Sequence, residues 1–314
     1  MNPYHPSISA ISWYIKYVGL PITVGVTIYS LLCHMNQRKL RAALRNKVVV
    51  ITGASSGIGE ALAHTFYDQG SKVVLVARRG KELNRVKDDL MSKKLSVPCQ
   101  EPVVLELDLA NVDQMAAFVK KVHNVCGQID ILINNGGISH RASILNTDMK
   151  VFKQIMEVNY FGTVALTKAA LPNMIERKSG HIAFVSSVQG LIAIPDRAAY
   201  AASKHALQAF GDSLRAEMHQ HNIVVSVISP GYIKTAISIN ALTGSGNNHG
   251  VMDASTAAGF SAEYAAEQFL DAIVNKKKEF ILSQFMPRVA IFLRQAIPSL
   301  YFYLMTKRAN KTEW

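Results

Sequence analysis

Short apolar runs alternate along the chain with longer stretches that mix apolar and polar positions. From residue 47 onward the runs fall at 48–51, 73–76, 103–107, 129–133, 181–185, 224–228 and 280–282. They are rich in β-branched residues and nearly free of polar ones, the pattern of strands buried on both faces. Helix-length segments separate them, among them residues 60–69 and 152–170. Seven such strands with helices between them predict an α/β fold, a Rossmann-type doubly wound parallel sheet. No repeat, low-complexity tract or linker divides residues 47–285, which therefore read as one domain between flanks 1–46 and 286–314. Within it, residues 236–261 are rich in Gly, Asn, Ser, Thr and Ala and lack a strand pattern. A segment of that length in a compact domain reads as a lid or binding loop.

The two flanks are patterned differently. Residues 8–33 are mostly apolar, with Lys16 the one charge and Pro21 inside, and residues 19–33 carry no charge at all. This is long enough to cross a bilayer as a helix. A cleaved signal peptide or a surface helix is the rival reading. No positive region precedes the stretch and no small-residue cleavage site ends it cleanly, so a retained single-pass anchor fits better. The basic run at 38–47 lies on its C-terminal side, which predicts that this flank and the domain after it face the cytosol. At the other end, residues 289–305 are apolar but interrupted by Arg294 and Pro298. Phe292, Tyr301, Phe302, Tyr303 and Trp314 among basic residues suit either a segment lying on a membrane surface or one packed on its own domain. Asn310-Lys311-Thr312 matches a glycosylation sequon, which matters only in a lumen.

Composition narrows the function. The 314 residues are 49% hydrophobic and 18% charged, which excludes a disordered chain. The net charge of +12 suggests nucleic acid at first sight, but it sits at the ends. Residues 1–47 and residues 275–314 carry +6 each, and the 227 residues between them are neutral. The domain therefore has no electrostatic footprint for DNA or RNA, whereas basic ends beside apolar stretches fit an anionic bilayer. Cys33, Cys99 and Cys126 form no CxxC pair, and no metal site is expected.

The first strand leads into Thr52-Gly53-Ala54-Ser55-Ser56-Gly57-Ile58-Gly59 and then a helical run. Glycine allows the turn at Gly53, close approach of a phosphate at Gly57, and tight helix–sheet packing at Gly59. The helix start offers unpaired N–H groups to a pyrophosphate. Three glycines alone are weak; the strand before and the helix after raise the signal. The second strand ends in Arg78-Arg79, where an enzyme preferring NAD places an acid. Arginine there suits a 2′-phosphate, or is simply a solvated surface pair. Asp108 and Leu109 follow the third strand and Asn134-Asn135-Gly136-Gly137 the fourth, at the strand ends where open α/β sheets bind ligands.

Tyr200 and Lys204 stand four apart at the start of a helix, on one face. A neighbouring ammonium favours the phenolate and lowers a tyrosine pKa. Ser187 precedes Tyr200 by 13 residues, and Asn159 lies in the preceding helical stretch. A Tyr and Lys at this spacing are by themselves mostly coincidence; together with the glycine turn they are specific.

On these residues the chain resembles the short-chain dehydrogenase/reductase family over about residues 47–285. The resemblance rests on the turn at 52–59, Asp108, residues 134–137, Asn159, Ser187, Tyr200, Lys204, and Pro230-Gly231 followed by Thr235. It implies nicotinamide-dependent hydride transfer between a ketone and a secondary alcohol, and Arg78-Arg79 make NADP(H) the expected cofactor. Tyr200 would transfer the proton, Lys204 bind the nicotinamide ribose, Ser187 polarise the carbonyl, Asn159 hold a relay water and Thr235 bind the carboxamide. The cofactor set it implies is Thr52, Gly53, Ser55, Ser56, Gly57, Ile58, Gly59, Arg78, Arg79, Asp108, Leu109, Asn135, Gly136, Tyr200, Lys204, Pro230, Gly231 and Thr235. Gly136 departs from the family's usual alanine, and looser packing is expected there. Residues 158–169, 200–210, 229–235, 250–253 and the lysines at 276–278, with the N-terminal anchor, are similar to a branch associated with the endoplasmic reticulum membrane. The substrates it implies are lipophilic: a steroid or retinoid, or an acyl- or alkyl-glycerone phosphate. The resemblance also implies a homodimer formed through the helices around 152–170 and 200–219. A catalytically silent cofactor-sensing or partner-binding module is the competing function.

Overall fold

Each of the seven apolar runs forms a strand in the computed structural model, which describes residue 13, residues 15–94 and residues 97–310. The strands are β1 (Val48–Thr52), β2 (Lys72–Ala77), β3 (Val103–Glu106), β4 (Ile131–Asn134), β5 (Gly180–Val185), β6 (Ile223–Pro230) and β7 (Glu279–Leu282). All pair in parallel, in the order 3-2-1-4-5-6-7. Central strands are buried along their length, as in β1 and β4, while edge strands β3 and β7 are only partly covered. This follows from the patterning, because a parallel strand covered on both faces needs apolar residues at successive positions.

Helices cover both faces. On one lie α2 (Gly57–Asp68), α3 (Gly80–Met91) and α9 (Ala262–Val274), contributing buried Leu62, Phe66, Leu83 and Phe269. On the other, α4 (Met115–Cys126), α6 (Gly162–Glu176) and α7 (Ala198–Met218) pack Phe118, Leu166, Met174 and Leu207 against Val50, Leu132 and Phe184 of the sheet. The helix predicted for 152–170 is longer and broken. It runs as α5 (Met149–Met156), a π-helical turn (Glu157–Phe161) and α6, with Asn159 inside the turn. The strand order reverses between β1 and β4, and a ligand site belongs beyond the carboxyl ends of those strands.

The segment predicted as a lid is ordered by bridges from His140 to Leu242, Leu242 to Asn248 and Ile233 to Phe260, and holds the short helix α8 (Ala254–Ala257). After β7 come α10 (Phe285–Ala296) and α11 (Pro298–Ala309), divided where Pro298 opens the second helix. Of the two interruptions in the apolar stretch, Pro298 divides the helices, since proline suits a first helical position and not an interior one, whereas Arg294 lies within α10. Lys311, Thr312 and Trp314 lie outside the described residues.

The chain divides into two compact units, Met1–Ala43 and Leu44–Trp314. The first holds α1 (Leu20–Ala42), preceded by a π-helical turn (Ile15–Gly19). Its run Lys16–Ala42 is long and apolar enough to cross a membrane, and α1 holds no buried residue. The uncharged residues 19–33 fall within this run, which continues into the basic flank. Residues 8–12 and 14 of the apolar stretch lie outside the described residues.

Candidate active site

One large cavity, of about 950 Å³, opens at the carboxyl ends of the strands. Its first half is built on the turn between β1 and α2. Gly53 and Gly57 have φ of +69° and +60°, in the left-handed region that side-chain-bearing residues avoid. A Cβ on Gly59 would stand 2.2 Å from the Gly53 carbonyl oxygen, so only glycine lets α2 approach its own turn so closely. Thr52 ties this turn to the end of β4. Its Oγ1 accepts from the Asn135 and Gly136 backbone N–H groups, both at 2.9 Å, and its carbonyl accepts from Asn135 Nδ2.

Ser56 caps α2 without a side-chain hydrogen bond of its own to the helix. Its hydroxyl instead accepts from Arg79 Nη2 at 2.9 Å, and the same guanidinium nitrogen donates to Ser55 Oγ at 3.0 Å. A helix N-terminus, two hydroxyls and an arginine thus converge on one wall, the chemistry of a phosphate cradle. Arg78 lines the same wall, exposed. Thr235 closes the turn from above, with its Cγ2 3.1 Å from where a Gly57 Cβ would stand.

The expected looseness at Gly136 is not found. A Cβ there would stand 2.7 Å from Leu109 Cδ1, so the leucine side chain already fills the space. Asp108 turns back on its own loop, accepting from the Ala110 N–H at 3.1 Å.

The second half begins at α7. Tyr200 and Lys204 lie in its first two turns, both buried, with the Lys204 ammonium 5.8 Å from the tyrosine ring centre. Ser187 follows β5, and its hydroxyl accepts from the N–H of Gln189 at 3.1 Å and donates to the Pro230 carbonyl at 3.4 Å. Burial pushes the Tyr200 phenol above its ordinary pKa, against the pull of Ser187 and of the Arg141 and Arg197 charges. The lysine donates to the Val185 carbonyl at 2.9 Å, and burial lowers its own pKa to about 8.

Asn159 does not line the cavity. Its Oδ1 accepts from the Ile138 N–H at 2.8 Å, and its Nδ2 donates to the Ile138 carbonyl and to Ser203 Oγ, both at 2.9 Å. It braces the chain beyond β4 against α7, with its Oδ1 3.1 Å and Lys204 Nζ 3.6 Å from a Cβ built on Gly137. Gly59 also stands behind the cavity wall. Every other proposed site residue, from Thr52 to Thr235, lines the one cavity.

Two features of the wall are absent from the sequence reading. The first is a charge cluster. Asp253, in the lid segment, accepts from Arg141 Nε at 2.8 Å and Nη2 at 2.7 Å, and from Arg197 Nη2 at 3.3 Å. Burial would raise the Asp253 carboxyl, but the Arg141 hydrogen bond and the Arg141, Arg197 and His249 charges outweigh it and hold it low. Burial brings Arg197 down to about 10, still cationic at neutral pH. The cluster therefore keeps one net positive charge beside Tyr200. Arg197 stands three residues before Tyr200, a spacing that could have drawn attention to it. The second feature is an apolar wall from Ile192, Leu242, Val289, Leu293 and Met305, the last three from α10 and α11.

Among the described residues Glu60, His64 and Asp89 approach one another as metal ligands might. The Arg85 guanidinium already pairs with Glu60 at 2.9 Å and Asp89 at 3.0 Å.

Residues 47–245 match the short chain dehydrogenase family. The chain is 52% identical over 301 residues to a dehydrogenase/reductase SDR family protein 7-like of Drosophila melanogaster, covering 96% of this chain and 92% of that protein. It is 46% identical over 293 residues to dehydrogenase/reductase SDR family member 7B of Mus musculus, covering 93% and 90%. Among solved structures, it superposes on a short chain dehydrogenase/reductase of Burkholderia phymatum in complex with NAD. There the TM-score is 0.71 at 23% identity, over 82% of this chain and 95% of that one. A short-chain dehydrogenase of Streptomyces avermitilis gives 0.69 at 25% identity, over 85% and 98%. With the match covering most of the domain and such identities holding along nearly the whole chain, the protein belongs to the short-chain dehydrogenase/reductase family of oxidoreductases.

Proposed function

We propose that the protein is a membrane-anchored NADP(H)-dependent oxidoreductase that interconverts a lipophilic ketone and its secondary alcohol. The observation that carries this reading is the position of Tyr200, Ser187 and Lys204 between the phosphate cradle and the apolar wall of one cavity.

The first half of the cavity suits a dinucleotide. The glycine turn presents backbone where a Cβ would intrude, and Arg79 with Ser55 and Ser56 suits a ribose 2′-phosphate. When bound, the nicotinamide supplies or accepts the hydride. The chain's own groups do the rest. Ser187 hydrogen-bonds the substrate carbonyl oxygen and polarises it. Tyr200, kept protonated by its burial, donates to that oxygen as negative charge develops on it. The Lys204 ammonium then stabilises the phenolate left behind, and water is excluded by the buried walls.

Among lipophilic ketones, the net charge of the Arg141–Asp253–Arg197 cluster favours one with an anionic end, such as a glycerone phosphate ester. The uncharged helical stretch at 19–33 with basic residues after it supports a membrane anchor and a cytosol-facing domain, and the similarity to the endoplasmic-reticulum branch supports reading that anchor as one in the endoplasmic reticulum membrane. Incubating the purified full chain with NADPH and a lipid extract, and identifying what is consumed, tests the reading. Consumption that persists with Tyr200→Phe would remove it.

A further inference from the structure

The helix pair α10–α11 presents two opposite faces. Toward the cavity α10 places Met286, Val289, Ala290 and Leu293, and α11 places Tyr301, Leu304, Met305 and Arg308. Both sets fall at i, i+3, i+4 and i+7, one face of a helix. The pair is pinned over the site by Tyr301, whose phenol donates to the Ala193 carbonyl at 2.5 Å. The remaining faces hold aromatic rings turned outward: Phe285, Phe292, Phe302 and Tyr303 are 76%, 63%, 52% and 55% exposed. Soluble monomers rarely expose so many large apolar side chains together.

The charges on the helix pair have one sign. Residues 285–310 hold Arg288, Arg294, Lys307 and Arg308 and no acid, and Lys276, Lys277 and Lys278 stand before β7, with Glu279 opening it. The cations lie along the rings: Arg294 is 4.9 Å from the Phe302 ring centre and Lys307 4.8 Å from that of Tyr303. Aromatic rings flanked by long basic side chains are the chemistry of a surface resting at the level of lipid headgroups, with the charged tips reaching to phosphate. A second copy of the chain would bring the same basic charge to this face. An anionic leaflet brings the opposite one.

Met286 and Leu304 belong to both faces. They line the cavity and are nonetheless 73% and 41% exposed, so they form its rim. We propose that the outer face of α10–α11 seats on an anionic lipid leaflet and that the cavity mouth at Met286 and Leu304 opens into it, admitting substrate from the bilayer. The seat follows from the exposed face alone; the entry route rests on the lipophilic-substrate reading above.

Bromolipid quenching tests it without turnover. The full chain, with Trp13→Phe and Trp314→Phe, is reconstituted in phosphatidylcholine vesicles with about one-fifth phosphatidylserine, with and without brominated acyl chains. Single tryptophans are introduced as Phe292→Trp, Phe302→Trp, Leu304→Trp and, at the exposed last residue of α3, Met91→Trp. Quenching at 292, 302 and 304 should exceed that at 91 by about threefold or more, and fall when phosphatidylserine is omitted. Equal quenching at all four positions overturns the seat. Unquenched 292 and 302 that cross-link to another chain overturn it in favour of a dimer face. Quenching at 292 and 302 without 304 overturns the entry route. An inactive protein that still shows the full quenching pattern counts against the oxidoreductase reading and supports the seat.

Discussion

The two halves of the cavity are made by different means. The cofactor half is made of backbone and short polar side chains that lie close in sequence: a turn of eight residues, a serine pair, an arginine one strand away. The substrate half draws its walls from the loop after β4, the start of α7, the lid segment and the two terminal helices. The first half has one solution, because backbone that must admit a phosphate tolerates few residue types. The second can be rebuilt in many ways with apolar side chains of suitable volume, so a common reaction is fixed by one half and the choice of substrate by the other.

The sharpest way to break this division is at their junction. Tyr200→Phe deletes one oxygen and leaves the packing of α7 in place. It should lower kcat about a hundredfold or more, with the NADPH Kd changed by less than about threefold. Lys204→Met should impair binding and turnover together, because the ammonium sits at the boundary of both halves. Steady-state kinetics with cofactor titration separates the two outcomes. Normal turnover by Tyr200→Phe would assign the site to binding alone.

Next in size is the cofactor half. Neutralising Arg78 and Arg79 together removes charge-assisted hydrogen bonds worth about 1.5–3 kcal/mol each. NADPH affinity should fall about tenfold or more while NADH affinity hardly changes. Arg79 should account for most of the loss, since it alone reaches Ser55 and Ser56. Equal losses for both cofactors would show that the pair does not read the 2′-phosphate.

The contrast also explains what the sequence made legible. The strands were readable because burial on both faces forces unbroken apolar runs, and the turn because Gly53, Gly57 and Gly59 each meet a constraint local in sequence. The Tyr200–Lys204 pair was readable from helical spacing. Asp253 was not, because it meets Arg141 and Arg197 across 112 and 56 residues, and no local pattern records such a meeting. The cavity-lining role of α10 and α11 was hidden too. An apolar face covering a cavity and one resting on lipid have the same composition, and here one helix pair carries apolar residues on both faces.

A third test uses pH. Burial holds the Lys204 pKa near 8, below the ordinary lysine value. The unfolded chain therefore keeps this proton to higher pH than the folded one, and the group's contribution makes stability rise as pH climbs from about 8 toward 10. The Lys204 cation disappears across the same window, so on the proposed mechanism kcat/KM for NADPH should fall about tenfold per pH unit above 8. Thermal melts and rates measured across this range should move in opposite directions. A rate that stays level to pH 10 would show that Lys204 remains charged or is not required.

The smallest effect belongs to the substrate half and tests whether its charge cluster acts on the chemistry or only braces the loop. Asp253→Asn keeps the side-chain shape but leaves Arg141 and Arg197 without a counter-charge beside Tyr200. Loosening of the lid segment should raise the ketone KM about threefold, the scale of a partly solvated ion pair. The uncompensated arginines should at the same time draw the phenol pKa down, moving the pH–rate profile to lower pH. The native carboxyl titrates below its ordinary range, so its contribution to stability is present at neutral pH and is lost as pH falls through the folded-state value. The gap in melting temperature between parent and variant should accordingly close on acidification. A pH–rate profile that superimposes on the parent's, with the KM effect intact, would confine Asp253 to bracing the loop. A shifted profile with unchanged KM would make the cluster an electrostatic partner of Tyr200, and would join the two halves that their construction otherwise keeps apart.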